Sequence, residues 1–177
     1  SDGGGTSHDI AIDDIAVYDP VPTPGQAPQP GLAVLDINGA RNGNQEPTYV
    51  VGNGPYYSTA TIGGLMEFGF EGEPNRPIVL LTGPLNPVAA TFVNVGQFDI
   101  GGPIDPMTGV PTALVVLADG GNAQGLNAFF VLGAAGRTDL GFGIPNLPLG
   151  ILGSFQAAIF TSGSNGAPVA LTNAVQV

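Results

Sequence analysis

Short apolar segments recur along the chain, and Gly, Pro or Asn separates almost every one from the next. None shows the 3.6-residue period of an amphipathic helix. In LMEFGFE, Met66, Phe68 and Phe70 instead share one face of a strand, with other residues between them. Gly and Pro account for 29 and 17 of the 177 residues, which suits many strands joined by tight turns. The sequence therefore predicts an all-β chain.

Ten such segments follow residue 31, and no predicted helix covers an edge between them. Two sheets packed face to face are the usual way to bury many short strands. We therefore predict an antiparallel β-sandwich, similar to a jelly roll, over residues 32–177. The predicted strands are residues 32–37, 48–51, 58–63, 65–71, 77–81, 90–100, 112–118, 127–134, 154–161 and 169–177.

A detached strand is predicted ahead of this domain, at residues 8–18 (HDIAIDDIAVY), within an N-terminal extension of residues 1–18. Two pairs of aliphatic residues alternate with small or acidic ones, and the alternation slips by one residue between the pairs. Such a slip, here at Asp13 and Asp14, is what a β-bulge requires. The residues predicted to contact a partner through this strand are Ile10, Ile12, Ile15, Val17 and Tyr18.

A proline-rich linker, residues 19–31 (DPVPTPGQAPQPG), joins the extension to the predicted domain. Five of its thirteen residues are proline, so we expect an extended, semi-rigid chain. At about 3.1 Å per residue it would span roughly 40 Å, which is also roughly the diameter of a domain of this size. The linker is therefore predicted to let residues 8–18 reach a neighbouring subunit.

Charge and residue types exclude several classes of function. Fourteen acidic residues face three arginines and no lysine, for a net charge of −11, which excludes binding to nucleic acid or to an anionic membrane surface. No apolar run is long enough to span a membrane. Absence of Cys excludes disulfides and thiolate chemistry. Because the chain starts at Ser1 without Met, we expect a segment of a longer precursor, located outside the cell or on its surface.

Residues suited to catalysis are few. His8, the one histidine, precedes the first predicted strand, and we interpret it as solvated rather than as part of a catalytic triad. Glu67 and Glu71 share a face of a predicted strand, and glycosidases use carboxylate pairs. A solvated sheet face is the preferred interpretation of this pair. We predict no catalytic residues and a protein that is not an enzyme.

A bound calcium ion and an O-linked glycan are the two additions to the polypeptide for which the sequence offers candidate residues. Secreted jelly rolls bind calcium through Asp and backbone oxygens, although no DxDxDG loop is present and a chain without cofactor is the preferred prediction. Thr23 lies between two prolines, where O-glycans occur in other proteins, but an unmodified Thr is preferred. The calcium candidates are Asp13, Asp14, Asp99 and Asp105.

Two segments resemble known families. The residues HDIAIDDIAVYDP resemble the closing strand of concanavalin-like jelly rolls, such as laminin-G or MAM-type domains. Residues 141–177, together with NAFFVLGAAG (127–136), resemble a C-terminal module of large secreted proteins of planctomycetes and related bacteria. These resemblances imply a secreted β-sandwich and supply no catalytic residues.

The organisation of the chain supports two hypotheses of function. A detached strand, a proline linker and an all-β domain resemble bacterial fibre subunits that polymerise by strand donation. On this hypothesis the chain is a structural subunit of an extracellular, pilus-like filament, with identical subunits as its partners. The alternative is a non-catalytic binding or spacer module of a larger secreted protein, with glycans as the ligand class to consider.

Overall fold

The computed structural model describes residues 25–39, 55–122, 124–146, 148 and 150–177. This part of the chain is built almost entirely from strands, so the prediction of an all-β fold is confirmed. The strands are β1 Ala33–Ile37, β2 Tyr56–Tyr57, β3 Leu65–Gly72, β4 Ile78–Thr82, β5 Leu85–Phe92, β6 Gly96–Ile100, β7 Val115–Asp119, β8 Arg137–Gly143, β9 Ser154–Phe160, β10 Val169–Leu171 and β11 Val175–Gln176. A 3₁₀ helix, Gly125–Phe129, lies between β7 and β8.

The strands form two main sheets and a hairpin. Sheet A has the order β1-β3-β8, and sheet B has the order β2-β11-β9-β4-β7, with β10 also paired to β9. β5 and β6 form the separate hairpin. β2 pairs with β11 in parallel, whereas the other pairs between these strands are antiparallel.

The main core lies between sheet A and sheet B because each sheet turns an alternating apolar face inwards. Phe68 of β3 is the centre of an aromatic cluster. Its ring centroid lies 5.6 Å from that of Phe142 on β8 and 5.3 Å from that of Phe155 on β9. Edge-to-face contacts of this kind add attraction beyond the burial of area. The two sheets are thus joined through aromatic side chains at the centre of the sandwich.

A second, smaller core lies on the other face of sheet B, beneath the hairpin. Leu80 of β4 is buried in the main core, whereas Leu81 packs with Ile100 and Ala174 in the second core. A strand that is covered on both faces has a continuous apolar sequence, which explains IVLLT in β4. The domain therefore has three layers, namely sheet A, sheet B and the hairpin.

Several predicted strand boundaries were wrong. Residues 58–63 form loop and turn, and the strand lies just before them at Tyr56–Tyr57. Residues 90–100 form the end of β5, a turn and β6 rather than one strand. Asn94, with φ of 63°, and Gly96, with φ of 125°, reverse the chain there. The predicted strand at residues 48–51 lies outside the described residues.

The segment between β7 and β8 differs most from the sequence prediction. Residues 127–134 were predicted to form a strand, but the 3₁₀ helix ends at Phe129 and the chain continues as a loop. Phe130 and Leu132 enter the main core from this loop. Aliphatic and aromatic residues in a buried loop produce the same short apolar run as a strand, so periodicity does not separate the two.

Candidate functional site

The predicted contact strand lies outside the described residues, together with its aliphatic residues and its acidic slip. The residues concerned are Ile10, Ile12, Asp13, Asp14, Ile15, Val17 and Tyr18, and the same holds for His8 and Thr23. Their proposed roles stay predictions. The described residues include the point where the linker joins the domain, the edges of the two sheets and the buried polar residues near that junction.

Residues 25–31, the second half of the predicted linker, lie against the domain. The backbone N–H of Gln26 donates to Asp99 Oδ2 at 2.8 Å, and Gln26 Oε1 accepts from the N–H of Gln97 at 2.8 Å. The side-chain amide of Gln29 donates to the carbonyl of Leu171 at 3.2 Å. Only residues 19–24 of the linker precede this attached stretch, and at about 3.1 Å per residue they would span roughly 20 Å. The reach expected from the whole linker is therefore halved.

Asp99 is a buried carboxyl at the centre of this attachment, with 4% of its surface exposed. Its N–H donates to Gln156 Oε1 at 3.1 Å, and Gln156 Nε2 donates to the carbonyl of Gln97 at 2.7 Å. Asp99 Oδ1 has no hydrogen-bond partner among the described residues. Burial raises the pKa of Asp99 to about 6, against the lowering effect of the backbone N–H groups that it accepts from.

Asp105, the other calcium candidate in the described part, is partly exposed and stabilises a turn. Its Oδ1 accepts from the N–H of Met107 at 2.8 Å. This bond, together with bonds from Thr108, holds the pKa of Asp105 below its usual value. Within the described ranges, no group of three or more His, Asp or Glu residues could hold a metal ion. A calcium ion at Asp99 or Asp105 stays a prediction.

Replacing Asp99 by Asn should remove the pH dependence that this carboxyl gives to folding. Because its pKa is higher in the folded state, Asp99 contributes stability fully below about pH 4 and loses that contribution as the pH rises through 6. The loss by pH 7 amounts to about 2–3 kcal/mol, at about 1.4 kcal/mol per pKa unit. In urea titrations, the stability of Asp99→Asn relative to wild type should rise by that amount between pH 4 and pH 7.

Asp105→Asn is the matched control for this measurement. The pKa of Asp105 is lowered, so the stability of this variant relative to wild type should change only below about pH 4 and stay nearly constant from there to pH 7. A stability difference between Asp99→Asn and wild type that stays constant from pH 4 to pH 7 would contradict the assignment of Asp99 as a buried, titrating carboxyl.

The outer face of sheet A carries a polar cleft of about 430 Å³. Arg137 and Asp139 form a bidentate ion pair there, with Nε 3.0 Å from Oδ2 and Nη2 2.7 Å from Oδ1. This pair raises the pKa of Arg137. Glu67 and Glu71 lie four positions apart along β3, which is roughly 13 Å and wider than the roughly 5–9.5 Å between the carboxyl groups of glycosidases. The cleft is thus polar and acidic, and the Glu67–Glu71 pair lacks the spacing of a glycosidase pair.

The outer edge of β1 is closed by side chains. Asn173 is fully buried; its Oδ1 accepts from the N–H of Leu35 at 3.1 Å, and its Nδ2 donates to the carbonyl of Leu35 at 2.8 Å. Ser58 Oγ donates to the carbonyl of Ile37 at 2.8 Å. Asn173 therefore makes the pair of bonds that a neighbouring strand would make, and this part of β1 cannot accept one.

β7 presents the opposite situation at the end of sheet B. It pairs with β4 on one side, and no other strand within the described ranges lies along its second side. Val115, Val116 and Leu117 are 54%, 58% and 50% exposed. Successive side chains of a strand point to opposite faces, so both faces beside this edge are open. Within the described ranges, β7 thus combines an edge that lacks a second partner strand with an aliphatic surface.

The 3₁₀ helix lies beside the end of β7 and carries further exposed apolar side chains. It contacts β7 and is fixed to it by Asn127, whose Oδ1 accepts from the N–H of Asp119 at 3.1 Å. Leu126 and Phe129 of the helix are 72% and 63% exposed. We call this combined surface the β7 edge patch. It consists of Val115, Val116, Leu117, Leu126 and Phe129.

A second apolar surface is a groove of about 410 Å³ beside β2, lined in part by Ile62, Ile151 and Val177. Ile151 is 73% exposed. The backbone along the groove is already bonded, because Leu152 N–H donates to the carbonyl of Val177 at 2.7 Å and Val177 N–H donates to Gly153 at 2.9 Å. The groove therefore offers apolar contacts but not an open strand.

Neither the β7 edge patch nor the buried polar network of Asp99, Gln156 and the backbone of Gln97 was predicted from the sequence. The signal for the patch was three consecutive aliphatic residues, Val115–Leu117, without the polar alternation of a strand that has one solvated face. The signal for the network was a polar residue at an inward position, such as Gln156 in SFQAAIF. Neither signal shows where these residues lie in the fold, and only the folded chain gives Gln156 its partners.

Comparison of the chain with protein-family models, with curated proteins and with solved structures gives no match. The resemblances to concanavalin-like jelly rolls and to the planctomycete module therefore stay predictions. In the part of the chain that the structure describes, no helix has the length and apolar character needed to cross a membrane.

Proposed function

We propose that this chain is a structural subunit of an extracellular filament, which grows when residues 8–18 of one copy pair with a sheet edge of the next. The observation that supports the proposal is β7, an aliphatic edge on which no strand lies within the described ranges. Natural edge strands are usually covered, or guarded by Lys or Pro. β7 contains neither residue, and its one charge is Asp119 at the end.

The proposed contact would propagate because donor and acceptor are different surfaces. A contact between unlike surfaces is heterologous and repeats as an open filament unless its rotation closes a ring. Backbone hydrogen bonds would supply affinity, and the alternating aliphatic residues of the donor strand would set the register. The bonds of Gln26 and Gln29 to the domain fix the point from which each donor strand departs.

A variant lacking residues 1–19 should remain a folded monomer under conditions in which the full chain assembles. It should also bind a synthetic peptide of residues 7–19, because its acceptor edge is then empty. Light scattering measures assembly, fluorescence anisotropy of the labelled peptide measures binding, and thermal unfolding verifies the fold. A peptide carrying Ile12→Asp and Ile15→Asp is the control and should not bind. Filaments formed by the shortened variant would refute strand donation.

The alternative, a non-catalytic binding or spacer module, is favoured by the polar cleft on sheet A. The residues that line the cleft include Asp36, Glu67, Arg137 and Asp139, but none with an aromatic ring within the described ranges. Sugar-binding surfaces usually offer such rings as stacking platforms. A glycan-array screen tests this alternative: binding that Arg137→Ala abolishes would support it, and an array without hits would remove sugar binding.

A further inference from the structure

We infer that the acceptor surface of the filament is the β7 edge patch and that its occupant is residues 8–18 of a second copy. This inference rests on the proposed function and adds the surface at which the subunits meet. It makes Val116 and its neighbours specificity-determining residues of the assembly. The groove beside β2 and the polar cleft on sheet A would then lie outside the contact.

Comparison of three sheet edges selects β7. The edge of β1 is occupied by Asn173, which bonds both backbone groups of Leu35. β8 ends the other side of sheet A, but its exposed positions are Arg137, Asp139 and two glycines. Such an edge offers a donor strand little apolar area to bury. The edge of β7 provides three half-exposed aliphatic residues, and the 3₁₀ helix beside its end adds the exposed Leu126 and Phe129.

The form of β7 also matches the predicted donor strand. The register between β7 and β4 shifts between Leu80 and Leu81, so Leu117 has no partner residue in β4. An irregularity of this kind bends a strand and increases its local twist. A strand laid along β7 must follow that bend, and the donor sequence contains its own one-residue slip at Asp13 and Asp14. Donor residues on either side of the slip can thereby keep their aliphatic side chains toward the patch.

The stiffness of the linker favours a second copy over the chain's own β7. Residues 19–24 precede Gln26, whose backbone N–H is held by Asp99 of β6. They hold three prolines, and this composition predicts a semi-rigid spacer of roughly 20 Å. Because such a spacer resists folding back on itself, it favours a donor strand that points away from its own domain and toward a neighbour.

Disulfide cross-linking of the full chain tests the inference. The chain has no Cys, so each engineered thiol is unique. Val116→Cys is mixed with a mass-tagged chain carrying Ile10→Cys, Ile12→Cys, Ile15→Cys or Val17→Cys, and is then assembled and oxidised. Opposite side chains of neighbouring strands meet the distance that a disulfide requires. A tagged–untagged dimer is expected with at least one donor position. Gly141→Cys on β8, where an added Cβ meets nothing within 4 Å, is the control and should give none.

A second variant gives an independent readout. Val116→Lys should fold, because this side chain is 58% exposed in the free subunit. It should raise the concentration needed for assembly by at least about tenfold, because a neighbouring strand would bury the ammonium without a partner. Gly141→Lys should leave that concentration unchanged. An effect of Gly141→Lys in place of Val116→Lys would overturn the inference.

The outcomes separate this inference from the proposed function. Filaments that cross-link through residue 141 but not 116, or through neither, would overturn the β7 edge patch as acceptor and leave strand donation standing. In a chain carrying both Ile12→Cys and Val116→Cys, a bond formed only within one chain would overturn the second copy as donor. A full chain that forms no filaments would overturn both proposals.

Discussion

Replacing Asn173 by alanine should lower the free energy of unfolding by roughly 2–6 kcal/mol. The amide of Asn173 makes both backbone hydrogen bonds of Leu35, at 3.1 and 2.8 Å, and both residues are fully buried. Alanine leaves a buried N–H and a buried carbonyl without partners, at a cost of about 1–3 kcal/mol each. Urea unfolding followed by circular dichroism measures the loss. Because the edge of β1 would then be open, faster amide exchange at Leu35 is also expected.

Asn38 supplies the matched control for Asn173. Its side chain likewise makes two backbone bonds, donating to the carbonyl of Thr59 at 2.8 Å and accepting from the N–H of Glu67 at 2.9 Å, but at an exposed position. Asn38→Gly removes both bonds and suits the φ of 51°. Since water can replace the lost partners, its cost should stay below about 1 kcal/mol. Equal losses for the two variants would show that Asn173 does not close a buried edge.

Phe68→Ala should destabilise the domain by about 3–5 kcal/mol, the usual cost of emptying a buried phenylalanine site. Phe68 is 2% exposed, and its ring contacts Phe142 of sheet A and Phe155 of sheet B. Its removal therefore leaves a cavity between the sheets and breaks two edge-to-face contacts. The midpoint of urea unfolding should fall accordingly, whereas the slope of the transition should stay near that of wild type.

Phe129→Ala is the control for Phe68→Ala because its side chain is 63% exposed in the free subunit. Its effect on the free energy of unfolding should stay within about 0.5 kcal/mol. If Phe68→Ala were no more harmful than Phe129→Ala, the two sheets would not share the aromatic core described above.

Strands with strong alternation could be predicted from the sequence, whereas strands defined by their neighbours could not. β3 is recognisable because three of its apolar residues lie at every second position, and β4 because it is covered on both faces. β8 was missed because RTDLGFG has two glycines and an acidic residue, which disfavour a strand in isolation. Its pairing with β3 overrides that preference, since Leu140 and Phe142 pack against the main core.

The donor side of the candidate site stays a prediction from the sequence, because residues 8–18 lie outside the described residues. The alternating residues of HDIAIDDIAVY indicate a strand, and the prolines after it indicate a spacer. An acceptor edge, in contrast, depends on which strand ends a sheet, and pairing order is set by contacts between distant residues. The attachment of Gln26 to Asp99 joins residues 73 positions apart, so no local pattern reports that half of the linker is held against the domain.

Electron microscopy of the full chain in negative stain, over a series of concentrations, tests strand donation most directly. Above a threshold concentration, we expect unbranched filaments with a single axial repeat. Excess peptide of residues 7–19 should shorten them by capping their ends. A field of separate monomers at every concentration, from a preparation in which residues 1–30 are shown by mass spectrometry to be intact, would contradict strand donation.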